Sequence, residues 1–443
     1  MQGYWENADQ KKISLQYLED AVIFKSSIIT TEIDSVSGRF YFRIPLDHPV
    51  KLQLLNQFFV AMPNDTISVN INKNLKGEIS IDFMNAVEKE ASFFPLLSAE
   101  IKRVSIRDFS FDNSASIKGY KEAVTAHYNK AIHFLEQHSL HYSSDGKVLI
   151  KNLLSIEHLK DMINPIYIEK ILKEQLPPGY FSEIDFSLLN KDDLLYFREY
   201  VIFLNNFNEC FYNIKSPKGK YYDSAYVGKK ISSAQANFAG RVRDHLLLFI
   251  YNSLVENGTK HNKAQVEELY NWVTRAFKKN ETRLRQIRDM KHQFDILNKP
   301  FPPNILSQQL ISSQGKKVFL SEIFSTQRII HIDFWASWCG PCIAEMPKEI
   351  QLIAELKNKG IDFIFISLDK TEKPWQQAMQ KIGIKENQYR LSAAFDASLM
   401  KYLGINTIPK YAIIGKNGSL MSYDAPRPSV ILEDNSKLFS LLK

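Results

Sequence analysis

Cysteine is scarce in this chain, three in 443 residues. That excludes a scaffold stapled by several disulfides. Structural zinc usually takes four Cys or His ligands, and no second cysteine pair is present to complete such a site. Long apolar runs are also missing: nothing approaches the stretch of about 18 apolar residues that reads as a membrane-spanning helix. Met1 to Gln10 lacks the charged-then-apolar pattern of a secretory leader, so an exported form is expected to carry its leader outside this sequence. Charge of one sign is nearly balanced by the other. A formal net charge of +7 over this length is a weak basic bias, which suits solubility and gives no nucleic-acid footprint. No repeat of fixed period is found. The composition that remains, 44% hydrophobic and 24% charged, is ordinary for globular domains, and the length calls for two or three of them.

Residues 1–84 read as a β-rich domain, with strands from about residue 20. Phe40, Phe42 and Ile44 alternate with Arg39, Tyr41 and Arg43; Ile67, Val69 and Ile71 alternate with polar neighbours; Ile79, Ile81 and Phe83 repeat the pattern. Period-two alternation means one buried and one wet face. Turns are placed at Ser37-Gly38, Pro63-Asn64-Asp65 and Lys76-Gly77. The prediction is an antiparallel sandwich or open barrel, used for packing, dimerisation or partner docking.

Residues 85–297 switch to helical spacing. Tyr120, Val124, Tyr128, Ile132 and Leu135 follow one stripe; Leu194 to Leu204, Leu246 to Ile250, and Val266 to Phe277 carry others. Breakers at Pro165, Pro177-Pro178-Gly179, Pro217 and Gly258 divide an all-α domain of about six helices. His127, His133, His138 and His141 lie close in sequence, but no carboxylate or cysteine completes a metal set, and ordinary satisfied or solvated histidines are expected. Cys210, alone in an apolar helix, is expected to be a buried, inert thiol. Asn298 to Asn304, with three prolines, reads as a stiff extended linker to a third domain at residues 298–443.

The densest chemistry lies in that third domain. The apolar run Ile329 to Trp335 reads as a buried parallel strand. A helical segment follows, with Ile343, Met346, Ile350, Ile353, Ala354 and Leu356 on one side. Between them stand Cys339 and Cys342, at the point where a strand feeds a helix. Unpaired N–H groups and the positive end of the dipole lie there. A thiolate at Cys339 is stabilised, and its pKa should fall from about 8.5 toward ~7. Pro341 suits a first helical turn, where its missing N–H is not needed. Cys339 is therefore predicted to be the nucleophile, with the more buried Cys342 as the resolving thiol.

The segment Asp333-Phe334-Trp335-Ala336-Ser337-Trp338-Cys339-Gly340-Pro341-Cys342 resembles the active-site segment of thioredoxins. With Glu345-Met346-Pro347 it resembles the TlpA/ResA-like thiol-disulfide oxidoreductases. Thr407-Ile408-Pro409 matches the cis-proline signature of that fold, followed by a strand at Tyr411 to Ile414 and a hairpin turn at Gly415 to Gly418. The resemblance covers about the last third of the chain. It implies a C-terminal α/β thioredoxin fold, with a TlpA-like insertion that accounts for the extra length before Pro409 and contains helices at Trp375 to Ile382 and Ala397 to Leu403. The β-rich segment is similar, more loosely, to a small β-domain found ahead of some TlpA-like domains.

The same resemblance implies roles. Asp333 would be general base for Cys342, and Glu345 a second acid or base. Pro409 would shape the turn beside the cysteines, and the Ile408 backbone would pair with an extended substrate segment. Trp338, Gly340 and Pro341 would form the contact surface around the sulfur, with Trp335 in the core. One departure stands out: the strand Ile361 to Leu368 has no lysine, so the buried Asp–Lys pair of thioredoxins is absent. The implied activity is reduction of protein disulfides, without a cofactor and outside the cytoplasm. Its partners would be oxidised protein substrates and an upstream thiol donor, for which a membrane-embedded protein is one option, and a homodimer is another possible assembly. Two alternatives remain. A thiol peroxidase could use the same fold, although Ala336 stands where peroxiredoxins place Thr or Ser. A partner-binding protein could carry the redox domain as an accessory.

Overall fold

A computed structural model describes the chain apart from residues 6–7, 9, 22–24, 56, 74–78, 85–89, 141, 170, 213, 215–222, 258–259, 326, 385, 424, 435–437 and 439–443. His141, Pro217, Gly258 and the Lys76-Gly77 turn therefore lie outside the described residues. The chain divides into two compact units, one made of residues 1–253 and 267–276, the other of residues 254–266 and 277–443.

The first unit opens with eight strands: β1 (Gln2–Trp5), β2 (Lys12–Asp20), β3 (Lys25–Glu32), β4 (Arg39–Tyr41), β5 (Val50–Leu54), β6 (Gln57–Ala61), β7 (Ser68–Lys73) and β8 (Ile79–Phe83). They form two four-stranded sheets, ordered β4-β1-β7-β8 and β3-β2-β5-β6. In β5 the alternation Val50, Leu52, Leu54 is buried while Lys51 and Gln53 are half-exposed. Both sheets feed one apolar cluster, with Trp5, Phe40, Val69 and Ile71 from the first and Leu15, Leu52, Leu54 and Phe59 from the second.

Two expectations are corrected here. The first sheet is mixed, because β1 pairs parallel with β7. A parallel neighbour needs a crossover connection, and the chain from β2 to β6, which holds the second sheet and β4, supplies it. No closed barrel forms among the described residues. Strands also begin at Gln2 rather than near residue 20; in β2, Ile13 and Leu15 are buried between exposed Lys12, Ser14 and Gln16, the same alternation as in β5.

Helices follow: α1 (Phe93–Glu100), α2 (Ser114–His138), α3 (Ser144–Tyr167), α4 (Arg198–Phe211), α5 (Ser224–Asn237), α6 (Gly240–Asn257) and α7 (Lys263–Ala276). Asn113 caps α2 in a reciprocal capping box with Ser116, and Ser143 caps α3. Each cap satisfies N–H groups that a helix start leaves without partners. Pro165, read from sequence as a breaker, lies inside α3. A proline there cannot donate to the carbonyl four residues back. That carbonyl, Asp161 O, instead accepts the Tyr120 hydroxyl at 3.0 Å, so the helix continues at little loss. The histidines on α2 are engaged locally: His138 Nδ1 lies 2.9 Å from Phe134 O, and His133 Nε2 lies 2.9 Å from Gln137 Nε2. Cys210 on α4 is half-buried.

The second unit holds α8 (Glu281–Ile296), α9 (Pro303–Leu306), β9 (Gln309–Ser312), β10 (Lys317–Phe319), α10 (Leu320–Ile323), β11 (Ile329–Trp335), α11 (Gly340–Leu356), β12 (Ile361–Ser367), α12 (Glu372–Ile382), β13 (Gln388–Arg390), α13 (Ser398–Leu403), β14 (Lys410–Ile414), β15 (Leu420–Ser422) and α14 (Pro428–Glu433). Its seven-stranded sheet has the order β10-β9-β13-β12-β11-β14-β15. β11, β12 and β13 run parallel, and β14 runs antiparallel to β11. The continuous apolar runs of β11 and β12 reflect burial on both faces. This is the α/β thioredoxin-like architecture expected of the last third of the chain.

Residues 298–304, expected to be a stiff extended linker, are tied to the β15 edge of the sheet. Asn298 N–H donates to Leu420 O at 2.6 Å, Pro300 bridges to Ser419, and Phe301 is buried. The prolines are compatible because an edge contact of this kind leaves their missing N–H unneeded.

Candidate active site

The site forms where β11 ends and α11 begins. Cys339 precedes the helix, and its carbonyl accepts the first helical bond from Ile343 N–H at 3.1 Å. Its sulfur therefore sits over the helix N-terminus, and Cys342 N–H donates to Cys339 Sγ at 3.2 Å. The two cysteines are joined as a disulfide with Cα atoms 5.3 Å apart. Cys339 keeps 5% of its surface exposed and Cys342 none. Gly340 and Pro341 are exposed. Trp338 is 60% exposed, whereas Trp335 is buried. The Ile408–Pro409 peptide is cis, and both residues are half-buried.

The approach to Cys339 is held by a residue that sequence reasoning missed. Asp369, just past β12, is nearly buried. Its carboxylate accepts Ser337 N–H at 2.9 Å, Ser337 Oγ at 2.6 Å and Ser367 Oγ at 2.7 Å. The available signal was a Ser-x-Asp at the carboxyl end of a parallel strand, where functional loops gather in α/β sheets.

Asp333 is wholly buried on β11. Burial pushes its carboxyl up, and the nearby Glu345 charge adds to the rise. The strand opposite offers Phe365 in register, which agrees with the missing lysine. The neighbour that faces Asp333 is instead Glu349, a second fully buried carboxyl. Glu349 is pushed well up by burial first and by Asp333 next. His331, two residues before Asp333 on the same face of the strand, is also buried, and desolvation lowers it to about 4. Its Nδ1 lies 3.7 Å from Glu349 Oε1.

Glu349 and His331 were not anticipated because the helix face was read one step out. Ile350 is 44% exposed and Ala354 is exposed, while α11 buries Cys342, Met346, Glu349, Leu352 and Leu356. Apolar residues occupy more than one side of this helix, and Cys342 fixes which side turns inward. The signal was a glutamate seven residues after Cys342, two turns along the same stripe. Glu345 points elsewhere: its carboxylate accepts Ser429 N–H at 3.1 Å and Ser429 Oγ at 3.0 Å at the start of α14.

A parallel-centred sheet, a dithiol pair at a helix start and a cis X-Pro turn in the same unit define a thioredoxin-fold dithiol domain. Residues 297–438 match the Redoxin family. The chain is 25% identical over 119 residues to the thiol-disulfide oxidoreductase ResA of Bacillus thuringiensis, a match taking in 27% of this chain and 64% of that protein. It is 33% identical over 94 residues to ResA of Oceanobacillus iheyensis, covering 21% of this chain and 43% of that one. Among solved structures it is similar to the thioredoxin domain of a thiol-disulfide oxidoreductase from Bacteroides vulgatus, at 22% identity and a TM-score of 0.27, over 29% of this chain and 91% of that chain. The C-terminal part of the chain is thus a redoxin domain of the TlpA/ResA-like kind. The chain spans 64% of the length of the Bacillus thuringiensis relative.

Proposed function

We propose that the protein is a thiol-disulfide oxidoreductase that reduces disulfides of extracytoplasmic proteins through Cys339 and Cys342. The observation that carries this reading is the pairing of the two sulfurs at the N-terminus of α11, with Cys342 N–H donating to Cys339 Sγ. In the reduced form the same N–H and the helix dipole favour a thiolate on Cys339. That thiolate attacks one sulfur of a substrate disulfide and releases the other as a thiol. Cys342 then attacks Cys339 Sγ, re-forms the disulfide seen here and frees the reduced substrate. Trp338, Gly340 and Pro341 offer the exposed surface for docking, and the Ile408 backbone offers an edge for an extended segment. Asp333 serves as base for Cys342.

The test is a trapping experiment with the full chain. Cys342→Ser should accumulate mixed disulfides with protein substrates, and Cys339→Ser should not; equal trapping by both variants would refute the roles. Direction is checked by equilibration in glutathione buffers. A Cys-Gly-Pro-Cys pair should poise near the ~ −270 mV of thioredoxin, and a value above about −180 mV would make it an oxidant instead.

A further inference from the structure

The dithiol's buried support contains an arrangement that the missing lysine leaves unexplained. Two carboxyl groups, Asp333 from β11 and Glu349 from α11, are fully buried beside each other, and none of their four oxygens has a hydrogen-bond partner among the described residues. Among the described residues no Lys or Arg pairs with them, and the basic side chain beside them is His331, whose Nδ1 lies 3.7 Å from Glu349 Oε1. β12 presents Phe363 and Phe365 in register with His331 and Asp333. β14 presents Tyr411 opposite Asp333; its hydroxyl, without a hydrogen-bond partner among the described residues, is held protonated by burial and by the carboxylates. α11 adds Glu345, a third negative group, and Arg427, before α14, acts on Tyr411. His331 is neutral, and its ring packs at tilted angles against Phe363 and Tyr411. Two ionised carboxylates cannot share such a place, because each would lose its hydration and repel the other. One proton between them removes the repulsion and leaves a single buried charge, which a hydrogen bond from the protonated partner partly offsets.

We propose that Glu349 takes the place of the absent lysine: it retains a proton, donates it in a hydrogen bond to Asp333, and so keeps Asp333 ionised as the base for Cys342. Glu349 is thus a positioning residue that acts through Asp333. It lies two turns beyond Cys342 on the buried face of α11. This rests on the exchange reaction proposed above. In the resolving step, the Cys342 Sγ proton passes to Asp333, and the thiolate's electron pair forms the Cys342–Cys339 bond. The Cys339–substrate S–S bond breaks, and the substrate thiolate leaves with its electron pair and takes a proton from solvent. The carboxyl pair goes from one negative charge to none, a change that burial favours, and it later returns its extra proton to solvent. The oxidant throughout is the substrate disulfide.

Two measurements test this on the full chain. Infrared spectra of the oxidised protein at pH 7 should show a protonated carboxylic acid band that shifts when glutamate is carbon-13 labelled, and that disappears in Glu349→Gln. Absence of that band, or a band that follows labelled aspartate instead, would overturn the proposal. This readout needs no substrate, so it stands even if the exchange reaction fails. The second measurement follows release of thionitrobenzoate from its mixed disulfide with Cys339. Glu349→Leu removes the donor, so Asp333 should hold its proton to higher pH. The pH profile should move up by about one unit, making release roughly tenfold slower at neutral pH, and Glu349→Gln, which still donates, should restore the profile. Equal slowing at every pH by both variants would assign Glu349 a packing role only. If the parent protein releases no thionitrobenzoate, the exchange reading falls while the infrared result still decides the proton's location.

Discussion

Removing the Asp369 carboxylate should loosen the loop that carries Cys339. Three donors converge on this group: Ser337 N–H, Ser337 Oγ and Ser367 Oγ. Hydrogen bonds to a charged acceptor contribute about 1.5–3 kcal/mol each, but they are not additive. Ser367 Oγ also accepts Asp369 N–H at 3.0 Å, so it keeps a partner when the side chain is lost. The loss in Asp369→Ala therefore falls mainly on Ser337, and about 2–4 kcal/mol of stability should go with it. With a urea slope of roughly 2–3 kcal/mol/M, the transition midpoint should fall by about 1 M. Asp369→Asn can keep the Ser337 N–H and Ser367 Oγ bonds through its carbonyl oxygen, while its NH₂ donates to Ser337 Oγ. It should cost less than about 1 kcal/mol. A double-mutant cycle with Ser337→Ala should give a coupling of about 1–2 kcal/mol, since the pair is in direct contact. The reasoning is refuted if Asp369→Ala leaves the midpoint within ~0.2 M of the parent, if Asp369→Asn is as damaging as alanine, or if the cycle shows no coupling.

Two glycines in neighbouring helices should respond oppositely to alanine. Gly119 in α2 has open space where a Cβ would go, so Gly119→Ala should stabilise by up to ~1 kcal/mol through helix propensity. At Gly146 in α3 a Cβ would come within 2.3 Å of the Glu90 carboxylate, which accepts Ser143 N–H and Oγ at the helix cap; Gly146→Ala should destabilise by roughly 1–3 kcal/mol, and a gain in melting temperature would contradict this. His331 makes a pH prediction: its folded pKa of about 4 lies below the unfolded value near 6.5, so its contribution is complete above pH 6.5 and is lost as pH falls toward 4, on the order of 3 kcal/mol in all. The raised carboxyls Asp333 and Glu349 act with the opposite sign, their contribution being full at low pH and lost as pH rises through the folded values. The test is therefore the difference between the parent and His331→Phe: the parent's urea midpoint should fall relative to the variant's as pH drops from 6.5 to 4, and parallel pH curves would show that His331 is not the titrating group.

What was legible in the sequence was local. The β11 run, the dithiol spacing and the Thr407-Ile408-Pro409 turn each lie within about ten residues, and a strand, a helix start or an X-Pro bond is determined largely by its own neighbours. The absence of a lysine in β12 could likewise be read directly, and Phe365 indeed stands opposite Asp333. The face of α11 was not legible, because Ile350 and Ile353 compete with Cys342 and Met346 for the interior, and local periodicity cannot weigh one stripe against another. The parallel pairing of β1 with β7 joins residues more than sixty positions apart, beyond the reach of any window.

The sequence by itself determined that a sulfur would cap a helix, with a second sulfur one turn on. Only tertiary structure decided what surrounds them: Asp369 on the approach, and Glu349 and His331 brought to Asp333 by packing α11 against β11. The physical reason is that a helix's rotation is set by the sum of its long-range contacts. The charge state of a buried acid depends, in turn, on which neighbours that rotation delivers.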